Sequence, residues 1–271
     1  MKLPISLIAL CSLLCASPTQ AQSKDTLQKI KESGVIGLGA RDASFPFSYK
    51  TSADANPVGF SADLCLKVVD AVKKKLQMPN LKVQYTIVTP TNRIPLLQNG
   101  TIDLECSTTT NTTARAQQVE FAPTHFVSSI AVAVKKQSGI SSMTQLEGKT
   151  VATVTGSTTI QLLRSYRRTE KKDFQELYGK DIADAFLLLS SGRANAMILE
   201  DVQLAGLIAT SASPNEYKIL DERLTKAGVG HEFHVFPGNH GWEYMISVAD
   251  KSYVFLWNAL DHGSKSQRAT R

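Results

Sequence analysis

The residues best equipped for chemistry are scattered arginines, two hydroxyl-rich stretches and one acidic pair. Thr108 to Thr113, followed by Arg115, gathers hydroxyls, backbone donors and one guanidinium, a set that suits a carboxylate. The same stretch also reads as an ordinary polar loop. Gly156-Ser157-Thr158-Thr159 opens a predicted helix. Unpaired N–H groups at such a start hold anions, although many starts carry only their own hydroxyl cap. An apolar run from Ala196 to Leu199 leads straight into Glu200-Asp201. A carboxylate there, such as Asp201, must be solvated or paired, and a ligand ammonium group would pair it. This is the chemistry of recognising a small zwitterion. Bond-making chemistry has weaker support: the nearest approach to a G-x-S-x-G elbow, Gly59-Phe60-Ser61-Ala62-Asp63, lacks the last glycine. His231 and His234 are three apart on a predicted strand and so face opposite ways, and H-E-x-x-H is absent, so neither metal nor cofactor is expected.

These groups need elements to hold them. Val35 to Ala40 reads as a short buried strand ending at Arg41, with Gly34 as the preceding turn. From Ser61, a good N-cap, helical spacing takes over: Leu64, Val68, Val72 and Leu76 lie four apart, with Cys65 and Val69 beside them and lysines 73 to 75 on the wet side. Val83, Tyr85 and Ile87 alternate as a strand. Arg93 to Gln98 predicts a helix closed by Asn99-Gly100, and Ile102 to Cys106 another strand. The order is β, α, β, α, β, which argues for a sheet with parallel members. Ligands in such sheets sit beyond the carboxyl ends of the strands, where Arg41, Arg93 and Thr108 fall. A second unit repeats the logic, with strands at Ser129 to Val134 and Val151 to Val154 and a helix ending at Ser190-Ser191-Gly192.

Met1-Lys2, the apolar run Ile5 to Cys15 and the small residues around Ala21 predict a signal peptide cut near Ala21. The run is too short to cross a bilayer, and a cleaved, secreted chain without a lipid anchor is expected. Its departure would leave Cys65 and Cys106, too few for a disulfide framework; one bridge is possible and two inert thiols are the favoured reading. The remaining chain, about 250 residues, can bury one large core or two small ones. The balance of 30 Lys+Arg against 24 Asp+Glu, +6 overall, suits an anionic ligand but is spread along the chain. No basic stripe with interleaved aromatics is present, so nucleic acid is not an expected partner.

Taken together, several motifs carry a resemblance. Leu27-Gln28-Lys29-Ile30 leads to Gly34-Val35-Ile36; Pro46-Phe47-Ser48-Tyr49 and Val72-Lys73-Lys74-Lys75-Leu76 follow; then come Asn92-Arg93-Ile94-Pro95-Leu96-Leu97-Gln98-Asn99-Gly100-Thr101 and Glu105-Cys106. Thr109-Thr110-Asn111, Arg115, Ser191-Gly192-Arg193-Ala194 and Leu204-Ala205-Gly206 complete the set. Over about residues 26–220 the chain resembles the family 3 periplasmic solute-binding proteins, nearest to the branch that takes glutamate and aspartate for ABC transporters. The resemblance implies an α/β type II periplasmic-binding-protein fold of two lobes, 22–125 and 126–220, closing on a ligand about a hinge. It implies that Arg115 takes the α-carboxylate with donors from Thr110 and Thr158. Thr108 and Asp201 would surround the α-ammonium, and Arg41 and Arg93 would hold the side-chain carboxylate. Uncharged analogues would then leave those arginines buried and unpaired. Pro90 stands where the resemblance expects a serine, and Ile182 where it expects a histidine. The implied partners are glutamate or aspartate and the permease of an ABC transporter, with the protein a periplasmic monomer.

Residues 221–271 depart from that pattern. Leu224 to Trp242 resembles the end of an α/β-hydrolase esterase, with His240 at the place of the catalytic base. A base without its nucleophile hydrolyses nothing. The expectation is therefore a binding protein with an atypical C-terminal part, against the alternatives of a truncated or fused, non-functional product and of an esterase remnant. Glu232 to Phe236 is read as a substitute for a returning hinge strand, and Tyr253 to Leu260 as a covering helix.

Overall fold

The structure, a computed structural model, describes residues 25–220. The readings of the leader and of the esterase-like stretch lie outside the described residues. In the first half, α1 (Thr26–Ser33) is capped by Asp25 and closed by Gly34 in the left-handed conformation. It leads into β1 (Val35–Ala40), whose residues are almost all buried. A small hairpin follows, β2 (Ala43–Ser44) with β3 (Ser48–Tyr49), then α2 (Phe60–Leu76), β4 (Lys82–Ile87), α3 (Arg93–Gln98), β5 (Leu104–Cys106) and the short α4 (Thr113–Ala116). β1 is central, paired parallel with β4 on one side and β5 on the other, with Leu38 opposite Tyr85 and Leu104.

The core of this lobe joins Ile30, Ile36, Leu38, Cys65, Val69, Leu81 and Cys106. Two expectations for α2 change. Its buried face runs through Ala62, Cys65 and Val69, and Val68 is 46% exposed, because apolar residues on both sides of the helix allow two stripes and the sheet selects one. Ser61 is not the cap: Gly59 is, while the Ser61 hydroxyl donates to the Ser107 carbonyl at 2.7 Å and ties the helix to the end of β5. Cys65 and Cys106, expected as thiols, are joined in a disulfide that fastens α2 to β5.

The second sheet contains β6 (Ile130–Lys135), β7 (Thr150–Val154), β8 (Gln175–Gly179), β9 (Ala196–Glu200) and β10 (Tyr217–Ile219), in the order β10-β6-β9-β7-β8. β9, β7 and β8 run parallel, while β6 is antiparallel to both β9 and β10. Helices α5 (Thr159–Thr169), α6 (Ile182–Ser190) and α7 (Asp201–Thr210) pack on it. Ala131 and Ala133 of β6 enter one cluster, whereas Val132 and Val134 enter another on the opposite face. Both faces are covered, so the strands read as continuous apolar runs instead of alternating ones.

The two sheets share a segment without helix or strand between Ala116 and Ile130. The lobes also touch directly. A Cβ at Gly206 of α7 would come within 2.7 Å of the Phe45 ring, so only a glycine lets α7 lie against the first lobe there. Among the described residues no helix is long and apolar enough to cross a membrane.

Candidate binding cleft between the lobes

Parallel strands end together, and here the carboxyl ends of both sheets meet. β1 delivers Arg41, the turn after β4 delivers Pro90 and Arg93, and β5 leads to Thr108 and Thr110. β7 is followed by Ser157 and Thr158, and β9 ends on Glu200. With Arg115 and Gln203 these residues line a narrow cleft between the lobes.

Arg41 is 1% exposed. Its amide donates to the Ser48 hydroxyl at 2.9 Å, so the β2–β3 hairpin fixes the residue as it leaves β1. Its guanidinium donates through Nε and Nη2 to one oxygen of Asp181, the residue that caps α6 in the other lobe. Arg93 opens α3 and is 4% exposed. Its Nη1 stands 3.9 Å from Glu105 Oε1, an ion pair too long for a hydrogen bond. Arg93 Nε and Glu105 Oε1 accordingly have no hydrogen-bond partner among the described residues. Burial lowers the Arg93 pKa to about 10; Arg115 and Arg41 push the same way, Glu105 and Glu200 against.

Arg115 is held by α4, whose N-cap Thr112 accepts from the Arg115 amide at 3.3 Å. Its fork donates to the Thr110 carbonyl and, across the cleft, to the Gly156 carbonyl, each at 3.0 Å. Burial lowers its pKa, and Glu105 and Glu200 oppose that. Gly156 adopts φ +79°, and a Cβ there would stand 3.1 Å from the Pro90 carbonyl carbon and oxygen. Only glycine suits that turn, which swings the chain from β7 into α5. Thr158 precedes α5, lines the cleft and makes no side-chain capping bond, while Thr153 and Thr159 share a buried hydroxyl contact at 2.6 Å.

Six of the seven residues singled out from the sequence thus meet: Arg41, Arg93, Thr108, Thr110, Arg115 and Thr158. Asp201 does not line the cleft. It is the first residue of α7, and its carboxylate turns back to accept from the Val202 amide at 2.7 Å. The acid in the cleft is Glu200, one residue earlier, because β9 runs one residue beyond Leu199. Burial raises the Glu200 pKa, while its own backbone bond, Arg93 and Arg115 lower it. Gln203, 2% exposed, was not anticipated; its Nε2 reaches Thr108 Oγ1 at 3.5 Å from α7, and its polarity on an otherwise apolar helix face was the available signal. Asp181 and Glu105 were missed too. Their presence corrects the expectation that an uncharged ligand would strand Arg41 and Arg93, since each already faces a carboxylate of the protein.

A fold of two α/β lobes with arginines at the strand ends finds its counterpart in one family. The sequence model of the bacterial extracellular solute-binding proteins, family 3, matches residues 36–255. The chain belongs to this family. The match continues past residue 220 into the stretch that resembles an esterase end. The L-glutamate/L-aspartate-binding protein of Pseudomonas aeruginosa is 41% identical over 215 residues, covering 79% of this chain and 71% of that protein. The glutamate/aspartate import solute-binding protein of Salmonella typhimurium is 40% identical over 205 residues, 76% of this chain and 68% of the relative. Among solved structures, a periplasmic binding protein from Brucella ovis with glutathione bound superposes with a TM-score of 0.66 at 25% identity, over 74% of this chain and 62% of that one. An ancestral arginine-binding protein bound to glutamine gives 0.58 at 27% identity, over 86% and 95%. These are type II periplasmic-binding-protein folds, and the family is one of binding proteins, not enzymes.

Proposed function

We propose that the protein captures glutamate or aspartate in the periplasm and presents it to the permease of an ABC transporter. The observation that carries this is the convergence of Arg41, Arg93 and Arg115 with Glu200 at the strand ends of both sheets. The relatives named for glutamate and aspartate support the ligand class. Arg115 and the opening amides of α5, with Thr110 and Thr158, receive the α-carboxylate. Thr108 and Glu200, in place of Asp201, receive the ammonium group, which a buried carboxylate requires as a counter-charge. Arg93, with its unsatisfied Nε, and Arg41 receive the side-chain carboxylate. Pro90 and Ile182 line the same cleft and add no polar contact from their side chains. No bond is made or broken; the work is done by the lobes closing over the ligand. We further propose that the division falls near residue 125, that the leader is cut near Ala21 and that the protein acts as a monomer.

Isothermal titration of the mature protein with glutamate, aspartate and glutamine tests the reading. Glutamate and aspartate should give saturable heat and raise Tm. No response to any of them overturns it.

A further inference from the structure

Asp181 belongs to the second lobe, and Arg41 to the first. The two are 140 positions apart in sequence, and the pair forms only where the lobes meet. One oxygen of Asp181 accepts from both Nε and Nη2 of Arg41, the whole of one edge of the guanidinium. The other oxygen accepts from the Ile182 amide at the start of α6, whose dipole favours a negative charge there. The pair is enclosed, with side-chain exposures of 1% for Arg41 and 17% for Asp181. Arg93 faces Glu105 at 3.9 Å, a looser ion pair without a hydrogen bond. The distal arginines therefore enter the cleft with their charge already matched.

From this geometry we infer that Asp181 is a specificity-determining residue that competes with the ligand's second carboxylate for Arg41 as the lobes close. This rests on the acidic-amino-acid reading. A dicarboxylate bound on the first lobe must share Arg41 with an incoming like charge. A ligand with an amide side chain meets no such charge. Asp181 thus narrows the preference for acidic over amide side chains below what the arginines alone would give.

The test replaces Asp181 with asparagine, which keeps a helix-capping oxygen and removes the charge. Titration calorimetry on wild type and Asp181→Asn should show glutamate affinity rising about tenfold, the scale of one like charge removed at close range. Glutamine affinity should hardly move. Asp181→Ser, also a good cap, should reproduce the shift, and unchanged far-UV circular dichroism with a cooperative melt will show that both variants fold. A glutamate affinity that falls, or that changes in step with glutamine, overturns the inference, since Asp181 would then only position Arg41 or α6. If wild type binds neither glutamate nor aspartate, the parent reading fails, and this one with it; if wild type binds but the glutamate-to-glutamine ratio is unmoved in both variants, this inference alone falls.

Discussion

The two lobes bring opposite charges to one cleft. All three cleft arginines, Arg41, Arg93 and Arg115, come from the first lobe, where Glu105 faces Arg93. The second lobe supplies Glu200, Ser157 and Thr158 to the cleft and Asp181 to the Arg41 guanidinium. The asymmetry teaches an order of events. The cationic lobe can engage a dicarboxylate ligand alone, whereas the second lobe gains by closing because it meets guanidinium groups and an ammonium group. Covalent support is likewise uneven: the Cys65–Cys106 disulfide lies wholly in the first lobe, under the platform that carries Thr108 and Thr110.

Removing that disulfide is expected to have the largest effect. A bridge closing a loop of 41 residues contributes about 4 kcal/mol in the chain-entropy account. A Cys65→Ala, Cys106→Ala double variant should lose stability on that scale in urea, with hydrogen exchange accelerated in β1, β4 and β5 before the second sheet. Uniform acceleration would deny the lobes their independence. Next, Arg115→Ala should weaken every amino-acid ligand by about 3 kcal/mol or more, read by calorimetry, because a charge-assisted fork to the α-carboxylate is lost. Retention of binding within tenfold would remove Arg115 from the site.

Glu200→Gln sharpens the second lobe's side of the comparison, with an expected loss of about 2 kcal/mol in affinity for glutamate and glutamine alike. Its pH behaviour has a definite sign. The folded pKa of Glu200 is raised by burial, so the native state holds this proton more tightly than the unfolded chain. The charged carboxylate therefore costs stability above its folded pKa, and that cost fades as pH falls through it toward the ordinary glutamate range. Without ligand, Glu200→Gln should exceed wild type in stability at neutral pH and lose the advantage on acidification. Wild-type affinity should fall over the same window as the counter-charge is neutralised. Arg93→Ala should have the smallest and most selective effect, about 1–2 kcal/mol on glutamate and aspartate and less than half of that on glutamine. Equal losses would merge its role with that of Arg115.

Much of the first lobe's half of the cleft was legible in the sequence. Arg41, Arg93 and Thr108 each follow a strand or open a helix in a β-α-β-α-β order, and parallel topology then forces them together. What escaped depended on register or on distance. Glu200 and Asp201 are adjacent acids, and which one faces the cleft turns on whether β9 ends at Leu199 or one residue later, a difference no local pattern resolves. The α2 stripe was misjudged because Leu64, Leu66 and Val68 offer a second apolar face, and the choice belongs to the sheet that covers the helix. The disulfide and the Arg41–Asp181 pair join residues far apart in sequence, so spacing carries no trace of them.

Gly156 has a consequence in time as well as space. Its backbone lies close against Pro90 of the opposite lobe, and its carbonyl holds Arg115 of that lobe. How tightly that seam shuts governs how long a captured molecule stays. A methyl group inserted there by Gly156→Ala would act as a wedge: stopped-flow experiments should find capture nearly as fast as before and escape markedly faster, turning a receptor that waits for its transporter into one that lets go early.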